Sequence, residues 1–150
     1  MTSRFSYAPS HIGLCVSDLE RSLRFYVEGL GFEPFARFEL ERDIAEVDPP
    51  VKLTSCFIQK GGLRIELLHY ASPGAFGHPS TRRNQLGLTH LSFVVEDVDA
   101  AAADLVRHGG TVIDGTRNGL QDPDAVQIIF LADPDGTRVE LMRLARGQDW

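Results

Sequence analysis

Cysteine is nearly absent from this chain of 150 residues: Cys15 and Cys56 are the only two, and they share no motif. That excludes a disulfide scaffold and fits a reducing, cytoplasmic setting. No stretch approaches the ~20 consecutive apolar residues that a membrane span needs. The opening MTSRFSYAPS also lacks the apolar core of a secretory signal. Basic charge is short as well, with 15 Lys and Arg against 21 Asp and Glu and a net charge of −6. Phosphate contacts demand clustered cations, so neither a nucleic acid nor a membrane is expected as partner. What remains is an ordinary globular composition, 43% hydrophobic and 24% charged. A chain of this length can bury about 70% of its unfolded surface as one domain.

The positive signal is an internal repeat. One fixed shift carries His11 to His90, Asp18 to Asp97 and Gly31 to Gly110, aligning HIGLCVSDLERSLRFYVEGLGFEPF with HLSFVVEDVDAAAADLVRHGGTVID. A slightly shorter shift carries Arg64 to Arg138 and Glu66 to Glu140, aligning GGLRIELL with DGTRVELM. The difference is absorbed in loops, where length changes are tolerated.

Each half reads as βαβββ. HIGLCVS and HLSFVVE are short apolar strands. Ser17 and Asp18 offer an N-cap, with Glu20 completing a Ser-x-x-Glu capping box, and Leu19, Leu23, Tyr26, Val27 and Leu30 follow at helical spacing up to Gly31. In the second half Asp97 caps, Val98, Ala102 and Leu105 form the stripe, and Gly109 and Gly110 end the helix. Further strands are predicted at about 32–40, 51–59 and 63–70, then at 111–114, 126–131 and 137–144. The fold class is therefore α+β, with module one at about 8–70, a linker or lid loop at 71–87 and module two at 88–145 of a single domain.

Strand alternation places Ile65 and Leu67 on one face and Arg64, Glu66 and Tyr70 on the other; Val139 and Leu141 oppose Arg138 and Glu140 in the same way. The aliphatic faces are expected under the helices and the Glu faces along a concavity that His11 and His90 can reach. Burying carboxylates without a positive partner costs several kcal/mol. Two imidazoles and two carboxylates in register suit a divalent ion such as Zn²⁺, Ni²⁺, Co²⁺ or Mn²⁺. The bland alternative is a salt bridge from Glu66 to Arg64 and from Glu140 to Arg138, but residues two apart on a strand share a face without ideal contact. Tyr70 either lines the pocket or packs as a core aromatic. Arg82 and Arg83 either bind a substrate carboxylate or phosphate or form a solvated pair. His69 shares parity with Ile65 and reads as structural, His108 suits a helix C-terminus, and His78 falls in the long loop. Cys15 has the parity of His11 but no neighbouring base. The stretch Gly115 to Gln121 reads as loop.

HIGLCVSDLERSLRFYVEGLGFE, then IELL, the second His-led strand and DPDGTRVELM together resemble the vicinal-oxygen-chelate superfamily over about residues 11–143. That superfamily holds glyoxalase I, methylmalonyl-CoA epimerase, extradiol dioxygenases, fosfomycin-resistance transferases and bleomycin-sequestering proteins. The resemblance implies two tandem βαβββ modules whose mixed sheets form an open barrel around a central site. It implies metal ligation by His11, Glu66, His90 and Glu140, a small oxygen-chelating substrate and a homodimer. A four-ligand set is similar to that of glyoxalase I and the epimerase, whereas the extradiol branch needs only a two-His, one-carboxylate triad for Fe(II). Where glyoxalase I carries a glutathione-binding Arg and an Asn, this chain has Cys15 and Tyr70, so glutathione is not assigned. The segment EVDPPVK resembles an epimerase stretch that adds an acid near the site, here Glu46, and LLHYASPGAF resembles an epimerase Ser-Pro loop.

The implied activity is that of a metal-dependent lyase or isomerase moving a proton alpha to a carbonyl through a metal-bound enolate. Glu140 or Glu66 is the expected base, with Glu46 the weaker candidate. The alternatives are an Fe(II) extradiol dioxygenase of the catechol type and a non-enzymatic sequestering protein.

Overall fold

Apolar–polar alternation along the strands builds two mixed sheets, seen in a computed structural model that describes residues 4–119, 122 and 124–149. The first sheet contains β1 (Ile12–Cys15), β2 (Glu33–Leu40), β3 (Lys52–Lys60) and β4 (Leu63–Ser72) in the order β1-β4-β3-β2. The second contains β5 (Leu91–Val94), β6 (Thr111–Val112), β7 (Gln127–Ala132) and β8 (Arg138–Arg143) in the order β5-β8-β7-β6. In both, the edge strand that follows the His runs parallel to the Glu-bearing strand, and the remaining pairs are antiparallel. The α+β architecture and the duplication expected from the sequence are both present.

The aliphatic faces are buried: Ile58, Ile65, Leu67, Leu131 and Val139 have no exposed surface. Each such side chain contributes about 1.5–3 kcal/mol of burial. The opposite faces carry the two glutamates.

Two compact units emerge, one of Met1–Ser17 with Phe32–Ala75 and the other of Asp18–Gly31 with Phe76–Trp150. The first helical segment, expected under the strands of its own module, thus clusters with the second half of the chain. Its side chains explain the assignment. Tyr26 donates its hydroxyl to Asp133 Oδ2 at 2.8 Å, Arg21 reaches the Pro134 carbonyl at 2.8 Å, and Arg24 the Arg107 carbonyl at 2.9 Å. Gly110 closes the contact: a Cβ there would lie 2.8 Å from the Phe25 ring, so only glycine permits the approach.

The helices depart from expectation in two details. Asp18, not Ser17, caps α1 (Leu19–Leu23), its carboxylate accepting from the Arg21 N–H. The helix then widens into a π-helical stretch, Arg24–Gly29. The extra residue per turn lets Phe25 and Tyr26 both be fully buried, where a regular α-helical stripe takes only Tyr26. Asp97 caps α2 (Val98–Arg107) as expected, and Gly109 (φ 98°) follows its end. His108 sits at that C-cap, its Nδ1 2.9 Å from the Asp104 carbonyl. Of the loop expected at Gly115 to Gln121, Leu120 and Gln121 lie outside the described residues. No helix is long and apolar enough to cross a membrane among the described residues.

Asp133 ties the first helical segment to the β7–β8 turn, because its Oδ1 also accepts the N–H groups of Asp135 and Thr137 at 2.9 and 2.8 Å. Burial pushes its carboxyl above the usual range, while the Tyr26 hydroxyl and the backbone donors pull it back. The acid form is therefore favoured more in the fold than in the unfolded chain. Its contribution is full below the unfolded pKa of about 3.9 and is lost as pH rises through the higher folded value. Tyr26→Phe removes the donor that steadies the ionised form. It should lower the unfolding free energy by about 1–3 kcal/mol in urea titrations, with a larger deficit at pH 7 than at pH 4.

Candidate functional site

His11 and His90 each stand one residue before an edge strand, and each imidazole is engaged on both nitrogens. In the first unit the His11 Nδ1 is 2.8 Å from the Ser10 hydroxyl and its Nε2 is 3.1 Å from Glu66 Oε2. In the second the His90 Nδ1 is 3.0 Å from the Thr89 hydroxyl and its Nε2 is 3.6 Å from Glu140 Oε2. Each carboxylate also accepts a serine hydroxyl at 2.6 Å, Glu66 from Ser55 and Glu140 from Ser92. The two pairs are near-copies down to the hydroxyl on each side.

Each ring leans edge-on against a phenylalanine opposite the glutamate in the sheet. His11 meets Phe57 at 5.1 Å and 85°, and His90 meets Phe130 at 5.3 Å and 88°. Register places Phe57 against Glu66 and Phe130 against Glu140. The imidazoles keep about a third of their side-chain surface exposed, at 33% and 32%, whereas Glu66 and Glu140 keep 19% and 9%. A carboxylate, half-buried in the first unit and buried in the second, is therefore set beside a more exposed imidazole.

Neither glutamate pairs with the arginine two residues before it. The Arg64 guanidinium lies over the Phe35 ring at 5.5 Å, and Arg138 donates to the Ser80 carbonyl at 3.0 Å and to that of Thr81. The salt-bridge reading of the glutamates is thus set aside.

The residues fit a divalent ion in their chemistry. An imidazole whose Nδ1 carries the proton toward a neighbouring hydroxyl presents Nε2 as a metal ligand, and outer hydrogen bonds of this kind orient metal ligands. Imidazole nitrogen and carboxylate oxygen together suit the borderline divalent metals. Each unit contains one such imidazole and one such carboxylate. Among the described residues, no group of three or more His, Cys, Asp or Glu side chains is spaced to hold a metal ion.

The other candidates separate. Tyr70 lies near the first pair: burial chiefly, then the neighbouring Cys15 and Glu66, hold its phenol above the usual range. Arg83 lies 5.3 Å over the Phe130 ring, the same ring that His90 touches. Arg82 is exposed and lends its carbonyl to the Gln85 N–H. Glu46 is exposed in the β2–β3 loop with a left-handed backbone, φ 67°, and bonds to neither pair. His69 pairs across to Thr54 on β3. His78 lines a cavity of about 250 Å³ with Ser80, Thr81, Ile113, Asp135 and Arg138. Ser55, Ser92, Phe57 and Phe130 escaped notice in the sequence, although each alternates onto the glutamate face.

The sequence profile of the Glyoxalase/Bleomycin resistance protein/Dioxygenase superfamily matches residues 8–141. The chain belongs to that superfamily. It is 28% identical over 151 residues to a 2-epi-5-epi-valiolone epimerase of Actinomyces sp, covering 93% of this chain and 81% of the epimerase. It is 28% identical over 145 residues to a lactoylglutathione lyase of Neisseria meningitidis, covering 93% and 92%. It is also 29% identical over 138 residues to a catechol-2,3-dioxygenase of Bacillus subtilis, covering 88% of this chain but only 41% of the dioxygenase. The crystal structure of a glyoxalase family protein from Bacillus cereus superposes with a TM-score of 0.76 at 19% identity, covering 95% of this chain and 97% of that one. The superfamily includes enzymes that act on small molecules, and this chain shares their fold.

Ser92→Ala strips the deeply placed Glu140 of its hydroxyl donor. A hydrogen bond to a charged group is worth about 1.5–3 kcal/mol, and chemical denaturation should register a loss of that size. Ser55→Ala should cost less, because Glu66 is more exposed.

Proposed function

We propose that the chain is a metal-dependent lyase or isomerase of the glyoxalase or epimerase type, acting on a small substrate that presents two adjacent oxygens. The observation that carries this reading is the duplicated pair, imidazole Nε2 facing carboxylate, with a hydroxyl on each Nδ1 and another on each carboxylate. The epimerase and lyase relatives support it over nearly the full chain.

In this reading His11, Glu66, His90 and Glu140 hold one divalent ion, Zn²⁺, Ni²⁺, Co²⁺ or Mn²⁺. When bound, it supplies Lewis acidity to a chelating pair of substrate oxygens and makes the adjacent C–H more acidic. The protein's own part is proton transfer. Glu140 is the base of choice: Ser92 and His90 both engage its Oε2, while Oε1 accepts no hydrogen bond among the described residues. Glu140 takes the proton alpha to the carbonyl; for an isomerisation the same carboxyl returns it at the neighbouring carbon, and for an epimerisation Glu66 delivers a proton to the opposite face of the same carbon. Glu46 is the weaker candidate for that return. Tyr70 lines the pocket beside Glu66. The functional particle is a homodimer in a cytoplasmic setting.

An Fe(II) catechol dioxygenase is the second reading, favoured by the Bacillus subtilis relative. A facial triad leaves Glu66 without a task, yet Glu66 engages His11 more closely than Glu140 engages His90. A metal-free sequestering protein has no need of either pair.

Elemental analysis of protein equilibrated with each metal should find about one ion per chain. His11→Ala and His90→Ala should each abolish retention, and uptake at the wild-type level in either variant would overturn the shared centre. Chelation should remove turnover of the 2-oxo or acyl substrate that a thermal-shift screen identifies, and metal should restore it. Glu140→Gln should slow proton exchange alpha to the carbonyl by about 10²–10⁴-fold. Oxygen uptake on catechol would instead establish the dioxygenase.

A further inference from the structure

We infer that Arg83, set against Phe130, is an anion subsite for a carboxylate carried at the far end of the substrate. The inference rests on the chelating-substrate reading and narrows it to small chelating acids with a second carboxylate.

Three observations carry it. First, the Arg83 guanidinium lies over the Phe130 ring at 5.3 Å, and the His90 imidazole packs edge-on against that same ring at 5.3 Å. A cation and the His90–Glu140 pair are thereby mounted on one buried side chain, since Phe130 is 2% exposed.

Second, the guanidinium is held but unspent. Arg107 gives its N–H groups to Asp104, and Arg117 gives its own to Asp99 and Gln127. Arg83 has no carboxylate or carbonyl partner among the described residues and is exposed. A guanidinium held over a ring without a carboxylate or carbonyl partner keeps its N–H donors for an oxyanion, and its planar fork suits bidentate carboxylate recognition.

Third, the loop that carries it is fastened. Arg138 donates to the carbonyls of Ser80 and Thr81, the Thr81 N–H donates to Gln85 Oε1 at 3.1 Å, and the Gln85 N–H donates to the Arg82 carbonyl at 3.1 Å. Arg138 belongs to β8, two residues before Glu140. The strand that supplies the carboxylate therefore also anchors the loop that supplies the cation. Stacking on an aromatic and anchoring on both sides lower the ordering cost of binding.

The subsite is tested with 2-oxoglutarate and 2-oxopentanoate, which share chain length and chelating end and differ only in the distal carboxylate. Calorimetric titration of wild-type protein should show 2-oxoglutarate binding at least about tenfold more tightly, a difference of about 1.4 kcal/mol. Arg83→Gln should erase that preference while leaving 2-oxopentanoate unchanged, and Arg83→Lys should recover part of it. Equal affinities in the wild type, no binding of either acid, or a preference that survives in Arg83→Gln would each overturn the subsite. Metal content and chelator-treated protein separate this from the catalytic reading. A preference that depends on Arg83 in protein that retains no metal keeps the subsite and removes the lyase. Metal retention without any preference does the reverse.

Discussion

Two carboxylates on the faces of otherwise apolar sheets set the terms for this protein. A glutamate as enclosed as Glu140, 7% exposed, is tolerated only when hydrogen bonds and a cation or a proton-sharing partner replace its lost water. Both units answer with the same two groups, an imidazole nitrogen and a serine hydroxyl. The serines, however, come from different strands. In the first unit Gly13 lies opposite Glu66 and the hydroxyl comes from Ser55 on β3; in the second, Ser92 lies opposite Glu140 and the position matching Ser55 is Ile128. The donor has changed strands between the halves while the bond to the carboxylate has been kept. That pattern identifies the satisfied carboxylate, rather than any one residue supplying the satisfaction, as the constrained feature.

The strand scaffold was readable because it depends on short-range chemistry. Alternation alone puts Glu66 opposite Ile65 and Leu67, and both aliphatic residues are fully buried. The repeat was readable for the same reason, since the His-led strand and the Glu-led strand recur with their spacing nearly intact. Boundaries moved by a residue or two, and β6 shrank to Thr111–Val112, because strand ends are decided by partners rather than by propensity.

The helices were less legible, for a physical reason. The stripe Leu19, Leu23, Tyr26, Leu30 follows a regular α-helical period and passes over Phe25. The π-helical stretch changes that period, and what stabilises the change lies far along the chain: Asp133 for the Tyr26 hydroxyl, Gly110 for the Phe25 ring. No local pattern encodes a contact between residues so distant in sequence. The same holds for Asp18, whose rival Ser17 was an equally good cap on composition, and for the serines on the glutamates. Ser92 sits two residues past His90, but nothing in HLSFVVE distinguishes a hydroxyl aimed at a carboxylate from one aimed at solvent.

Arg138 marks where the two kinds of information meet. In sequence it is the repeat partner of Arg64, and symmetry suggests the same task for both. In the structure Arg64 lies over an aromatic ring, whereas Arg138 holds the carbonyls of Ser80 and Thr81. The second unit has a long loop following β4 and preceding β5. A guanidinium that can reach two carbonyls of one loop gains more than one left stacked on a ring, because carbonyl acceptors satisfy several of its five N–H donors. Duplication therefore preserved the residue and the neighbouring loop reassigned it. The equivalent arginines thus add to the exchanged serines a second difference between the surroundings of the two pairs.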